Sequence, residues 1–288
     1  MTQTTSLKPK SAAAAATYVL GRSDGETRRL TMQHQIYGPI TRRLFEAAGI
    51  GAGMRVLDVG SGAGDVALLL AELVGPRGRV LGVDHNPAIL DTARARVQAA
   101  GWQNVTFRAG DAFDLPSDQR FDAIVGRWVL MHTPDPVALL RSLAPRLRPG
   151  GIIAFQDSDF TYPPQMFPPS ELSAKVQHWG LPDPEAVPAA IRMNMGTRLF
   201  SAFQEAELPA PELRLEAPIG GGADWPGYGY VAETLRSLLP MLERMTGLDP
   251  DEVQIDTLAD RLREDAVQGG RVQMLPIVIG AWARTRNE

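Results

Sequence analysis

Val56-Leu57-Asp58-Val59-Gly60-Ser61-Gly62-Ala63-Gly64-Asp65 is an apolar run that enters a glycine-rich turn and opens onto a helical pattern, Ala63 to Val74. Valine and leucine in near-unbroken succession describe a strand covered on both faces, the signature of a parallel sheet. Glycines in such a turn let the backbone approach a ligand, and the helix behind it offers unpaired amide donors. The spacing is G-x-G-x-G, unlike the G-x-G-x-x-G that seats a pyrophosphate, and no Gly-Lys-Ser/Thr follows as in a triphosphate-binding loop. A dinucleotide or a nucleoside triphosphate is therefore disfavoured.

Outward from this turn, valine-rich strands at Arg79 to Val83, Val105 to Ala109, Phe121 to Gly126 and Gly151 to Gln156 alternate with helices at Pro87 to Ala100 and Pro136 to Leu147. Strand–helix alternation predicts a doubly wound, mostly parallel α/β sheet. Asn86-Pro87 and Asp135-Pro136 each place a capping side chain before a proline suited to the first helical turn. Upstream, Glu26 to Ala48 carries a helical period that Gly38 and Pro39 should break into two helices, and residues 1–17 read as a disordered leader. After Asp157 the alternation stops. Residues 160–188 look too irregular for a strand, and regularity returns with a helix at Gly196 to Glu207, a strand at Glu212 to Pro218, helices at Tyr228 to Met245 and Ile255 to Gln268, and a last strand at Met274 to Trp282.

Composition narrows the function. Without cysteine, a disulfide scaffold, a thiolate metal site and a cysteine nucleophile are excluded. The 29 basic and 33 acidic residues give a formal net charge of −4, against a phosphate backbone as main partner. No apolar run has the length of a membrane span and the start lacks a signal-peptide pattern, which predicts no membrane partner and a cytoplasmic address. The oligomeric state stays open between monomer and homodimer.

The second strand ends in Asp84, about 20 residues beyond the loop, where a ribose hydroxyl pair lies in a doubly wound sheet. Asn86 already holds the capping position, so Asp84 reads as a ribose acceptor. Asp111 follows the third strand at the same edge and suits an adenine amino group.

At this point the residues resemble a family. VLDVGSGAG, VLGVDHNP, AGDAFDLP, FDAIVGRWVLMHTPDP and LRPGGIIAFQD are similar, in order and spacing, to the successive motifs of class I S-adenosylmethionine-dependent methyltransferases across about residues 50 to 157. The closing PIVIGAWAR resembles the reversed final hairpin of that fold. YVLGRSDGETRRL and GGGADWPGYGYVAETLRSLLPMLER resemble a subgroup of bacterial small-molecule methyltransferases. The resemblance implies a seven-stranded sheet and S-adenosylmethionine as cofactor. It implies that Asp58 orients the loop and the methionine ammonium, that Gly60, Ser61, Gly62 and Gly64 meet the methionyl part, that Asp84 meets the ribose and Asp111 with Ala112 the adenine, and that Arg127 offers its carbonyl to the ammonium. It also implies an N-terminal helical lid over residues 18–48 and a methyltransferase domain over residues 49–288, with substrate-cap insertions at about 158–195 and 222–270. Met131-His132 stands where several relatives carry an aromatic or a second histidine, so their substrates do not carry over.

Methyl transfer needs in-line positioning and a nucleophile relieved of its proton. His132, just past the fourth strand, is the expected base. His85 is expected against the ribose or adenine edge and His34 in a helix closing over the site. Asp157 and Asp159 end the fifth strand and could flank the acceptor, while Tyr18, Tyr37 and Trp128 belong to an aromatic set expected to line an apolar pocket. The histidines form no metal triad. The expected activity is methylation of a small, partly hydrophobic metabolite. Its rivals are a cyclase-like enzyme that binds the cofactor without methyl transfer and a non-catalytic cofactor-binding regulator.

Overall fold

A computed structural model describes residues 24–162, 165–180 and 192–286. The expected leader over residues 1–17 and Tyr18 lie outside the described residues. The chain forms α1 (Asp24–Ala48), β1 (Arg55–Val59), α2 (Asp65–Val74), β2 (Arg79–Asp84), α3 (Pro87–Ala99), β3 (Val105–Ala109), β4 (Phe121–Arg127), α4 (Pro136–Leu143) and β5 (Leu147–Asp159). It continues through β6 (Gln165–Phe167), α5 (Glu171–Gly180), α6 (Met195–Glu205), β7 (Glu212–Glu216), β8 (Ile219–Gly221), α7 (Gly227–Thr246), α8 (Pro250–Val253), α9 (Leu258–Gln268), β9 (Val272–Met274) and β10 (Ile277–Arg284). The main sheet has seven strands in the order β3-β2-β1-β4-β5-β10-β7, and β10 runs antiparallel to both of its neighbours.

Alternation along the strands divides the core between the two faces. Val56, Val80, Ala123, Val125 and Ile152 pack with α2 and the end of α1, whereas Leu57, Val59, Ile124, Ile153 and Phe155 pack with α4 and α6. Both faces are apolar, which is why the strands read as unbroken hydrophobic runs. The two expected caps form: Asn86 Oδ1 accepts from the Ala88 amide at 3.1 Å, and Asp135 Oδ1 from the Ala138 amide at 2.9 Å.

Three expectations need correction. Gly38 and Pro39 do not divide the first helix, which is continuous with Pro39 inside it. An interior proline costs about 3 kcal/mol, while Ile36, Tyr37, Ile40, Leu44 and Phe45 are all buried at about 1.5–3 kcal/mol each, so tertiary packing wins. The stretch 160–188 was expected to hold no strand, yet it contains β6 as well as α5. β6, β9 and β8 form a small second sheet in that order. The expected last strand, Met274 to Trp282, is two strands, because the chain leaves the small sheet after Met274 and enters the main one at Ile277. Pro276 between them has no amide to continue a ladder. α5, α7, α8 and α9 then close a separate cluster around Trp179, Tyr228, Leu235, Leu242, Val253 and Leu262.

Candidate functional site

The loop after β1 is tied to the end of β2. The Gly60 and Ser61 amides donate to Val83 O at 2.8 and 3.0 Å, and the Gly62 amide donates to Asp84 Oδ2 at 2.9 Å. Asp84 Oδ1 accepts from the Asn86 amide at 2.9 Å, so this carboxylate organises the loop and keeps further lone pairs for a ligand. Gly60 sits at φ 66°, and a Cβ there would lie 2.6 Å from Val129 Cγ2. Gly62, at φ 51°, has nothing within 4 Å of the place a Cβ would take, so the loop's backbone faces open space.

Beside this opening lie polar atoms without partners. Asp58 is 1% exposed and neither carboxylate oxygen accepts a hydrogen bond; Ser61 Oγ is likewise buried and unpaired. Burial pushes the Asp58 carboxyl well above the usual carboxylate range, opposed by the Arg127 guanidinium. Unsatisfied buried groups are costly in a finished core. Here they fit the ammonium and polar atoms of an amino-acid moiety, so the loop suits the cofactor that the sequence motifs imply. At the end of β3, Asp111 Oδ1 accepts from the Phe113 amide at 3.0 Å, and its Oδ2 lies 3.6 Å from Nε2 of the exposed His85. Ala112 is buried at the start of the single turn Ala112–Asp114.

Four consecutive buried polar residues end β5: Gln156, Asp157, Ser158 and Asp159. Strand alternation sends them to opposite faces. Toward α1, Gln156 Oε1 accepts from Thr41 Oγ1 at 2.7 Å, and Ser158 Oγ accepts from Trp128 Nε1 at 2.7 Å. Arg127 donates to Thr41 Oγ1 at 3.2 Å and its guanidinium lies 4.8 Å from the Trp128 ring centroid, so this side chain is buried beneath the helix. Burial lowers the Arg127 pKa, with Asp65 and Asp58 opposing the shift. Trp128 itself has φ 55°, a conformation unfavourable for a bulky residue, held by its amide's bond to Gln156 O at 2.8 Å. Tyr37 meets the Trp128 ring edge-on at 5.0 Å and the Tyr230 ring at 5.8 Å, while its hydroxyl donates to Pro276 O at 3.1 Å.

On the other face, Asp157 is fully buried and Oδ1 accepts from the Met131 amide at 3.2 Å. Burial raises its pKa to about 8 against the pull of the Met131 and Leu130 amides. Asp157, expected at the acceptor, supports the turn Leu130–His132 through Oδ1, while its Oδ2 is buried without a hydrogen-bond partner. His132 ends that turn half-buried, and burial, reinforced by Arg29 of α1, holds its imidazole below the ordinary 6.5. Asp159 is engaged by the amides and hydroxyls of Thr161 and Thr197; burial raises its pKa, but these four bonds outweigh that and leave it below the usual value.

His34 lies over α2, with Nδ1 4.0 Å from Asp65 Oδ1. Burial lowers the His34 pKa although Asp65 opposes it. Asp65 is buried and takes a 2.6 Å bond from Arg96, whose other nitrogen donates to Ala63 O at 2.8 Å. The expected residues thus fall into a loop group (Asp58, Gly60, Ser61, Gly62, Gly64, Asp84), a pair past β2 and β3 (His85, Asp111), a group at α1 (Tyr37, Arg127, Trp128), the His34–Asp65 contact, and the His132–Asp157 turn. Thr41, Asp65, Arg96, Gln156 and Ser158 were missed. The signal for the strand residues was present: QDSD, four polar residues closing an apolar strand.

A family model described as a methyltransferase domain matches residues 50–200. A 2-phytyl-1,4-naphtoquinone methyltransferase of Synechococcus elongatus is 43% identical over 115 residues, 39% of this chain and 49% of that protein, so the chain spans about half the length of this curated relative. The solved YcgJ protein of Bacillus subtilis matches with TM-score 0.55 at 19% identity, covering 88% of this chain and 100% of the other, and the [4+2]-cyclase SpnF matches with TM-score 0.51 at 19% identity, covering 87% and 81%. Those two likenesses establish the fold alone. With the family match spanning more than half of the chain, and the glycine loop, Asp84 and the β5 polar run all inside it, this chain belongs to the methyltransferase-domain family.

Proposed function

We propose that this chain transfers a methyl group from S-adenosylmethionine to a small, partly hydrophobic acceptor. The observation that carries the reading is the unpaired, buried Asp58 carboxylate and Ser61 hydroxyl beside a left-handed glycine loop anchored on Asp84. Asp58, Gly60, Ser61, Gly62 and Gly64 would hold the methionyl part, with the Arg127 carbonyl beside the ammonium. Asp84 and His85 would face the ribose, and Asp111 with Ala112 the adenine. When bound, the cofactor supplies an electrophilic methyl group on a sulfonium.

The chain's own contribution is then positioning and proton removal. His132 is the base: its lowered pKa keeps the imidazole neutral and able to accept a proton near pH 7. Asp157 sets the turn that carries it. Tyr37 and Trp128, with His34 at the rim, would line the acceptor side. α1 and α7 act as a cover, since Tyr37 and Tyr230 join the two helices above Trp128. The methyltransferase activity of the 43%-identical relative supports methyl transfer over the cyclase-like and regulatory alternatives and makes flat aromatic or quinone acceptors the first to try. Among the described residues no helix is long and apolar enough to cross a membrane. The test is calorimetry with S-adenosylmethionine and S-adenosylhomocysteine, followed by incubation with methyl-labelled cofactor and a panel of phenols and reduced quinones. Failure to bind either cofactor form would sink the reading; binding without any labelled product from the panel or from a metabolite extract would leave a binding protein.

A further inference from the structure

A groove of about 790 Å³ opens at the N-terminal ends of the parallel strands, the edge of the sheet opposite the glycine loop. β1 and β2 begin there with Arg55 and Arg79, paired in register. Residues so paired share a face of the sheet, and like charges directly opposite one another destabilise it. Arg77 stands two residues before Arg79 on the same groove. No carboxylate lies within 4 Å of these three guanidiniums among the described residues, and no aspartate or glutamate lines the groove. The Arg55 guanidinium lies over the Phe121 ring, 5.1 Å from its centroid. Asp122, beside Phe121, is held by Arg148 at 2.6 Å and by the Arg55 amide at 2.7 Å.

The platform is braced and carries a flat ring. Asn104 Nδ2 donates to Gly75 O and Gly78 O, both at 2.9 Å, which holds the turn bearing Arg77. A second depression of about 460 Å³ shares Gly101, Trp102, Gln103 and Thr106 with the first, so Trp102, half-buried and packed on the core beneath, borders both. A chain of net charge −4 has no general surplus of cations; three of them collected without counter-charges beside an indole form a local device. Planar guanidiniums match phosphate oxygens, and an indole stacks on a nucleobase. We infer that this groove binds a small nucleotide of the nucleoside diphosphate class, at a site separate from the glycine loop. Its size is that of a small-molecule site, and the net negative charge of the chain disfavours a long polyanion.

Uridine diphosphate is the probe, titrated by calorimetry alongside inorganic pyrophosphate and a short single-stranded oligonucleotide. The expected result is uridine diphosphate binding that Arg77→Gln and Arg79→Gln each weaken by about 10-fold, with a change in tryptophan emission that disappears in Trp102→Phe. Both arginines are exposed, so these variants should fold. Absence of binding, or binding indifferent to both arginine substitutions, overturns the inference. Pyrophosphate binding as tightly as uridine diphosphate would remove the nucleoside, and an oligonucleotide binding more tightly through the same arginines would replace the small ligand with single-stranded nucleic acid.

Discussion

The half of the molecule that holds the glycine loop and the helices proposed as its cover are built by different rules. From β1 to β5, local chemistry closes each junction: the Asn86 and Asp135 caps start helices, and Asp84 gathers the amides on both sides of its own strand end. In the cover, α1 keeps a proline that local preference rejects, and α7 packs on a cluster drawn from α5, α8 and α9. The two halves meet through side chains distant in sequence, Thr41 with Gln156 and Arg127, and Tyr37 with Trp128, Tyr230 and Pro276. The difference teaches where function should respond: changes in the first half should move cofactor affinity, and changes at the seam should move turnover and closure.

The sharpest test of that division is His132. His132→Gln should reduce turnover by about 10²–10⁴-fold with cofactor affinity nearly intact, since the loss belongs to proton transfer. In the wild type the rate should fall in acid only below His132's ordinary 6.5, because burial lowers its pKa. Turnover against pH for both proteins, with affinity measured alongside, decides it; an acid limb that survives in the variant would reduce His132 to bracing its turn.

Asp157 breaks the comparison differently, through stability. Its folded pKa of about 8 stands above the ordinary 3.8. The stability contributed by the neutral carboxyl is therefore full below the unfolded value and lost as pH rises through the folded one, at a slope of up to about 1.4 kcal/mol per pH unit between them. Asp157→Asn should melt close to wild type near pH 4 and increasingly above it toward pH 8. A melting difference that is flat across that range would mean that Asp157 is ionised in the folded protein.

Asp84→Ala should weaken S-adenosylhomocysteine binding by about 10- to 100-fold, as a loop anchor and a hydroxyl acceptor are lost together at about 1–3 kcal/mol. Calorimetry on the variant checks this, and unchanged affinity would detach Asp84 from the site. The smallest effect belongs to the seam. Tyr37→Phe removes the hydroxyl that donates to Pro276 O and should cost about 1 kcal/mol of stability. Amide exchange should quicken in α1 and α7 while the glycine loop is unaffected; uniform change across the chain would mean that the cover does not move as a unit.

What the sequence determined was the part in which neighbours in the chain decide conformation. β1 and β3 lie at the residues read from their apolar runs, α3 starts at Pro87 and α4 at Pro136, and the mostly parallel sheet follows from their alternation, its seven strands being what the family resemblance implied. The glycine spacing and Asp84 were legible for the same reason, because the turn, its anchor and the following cap lie in one strand–loop–helix passage. Only the tertiary structure decided the rest. The continuity of α1 through Pro39 depends on burying Tyr37 and Phe45. β6, β8 and β9 are three residues each and exist through pairing across gaps of about 50 to 110 residues, which no local period encodes. That Asp157 meets the Met131 amide, in the turn that carries His132, is set by how β4 leads into that turn beside the end of β5. Where a contact spans the chain, packing free energy outweighs local preference, and the residues alone leave it open.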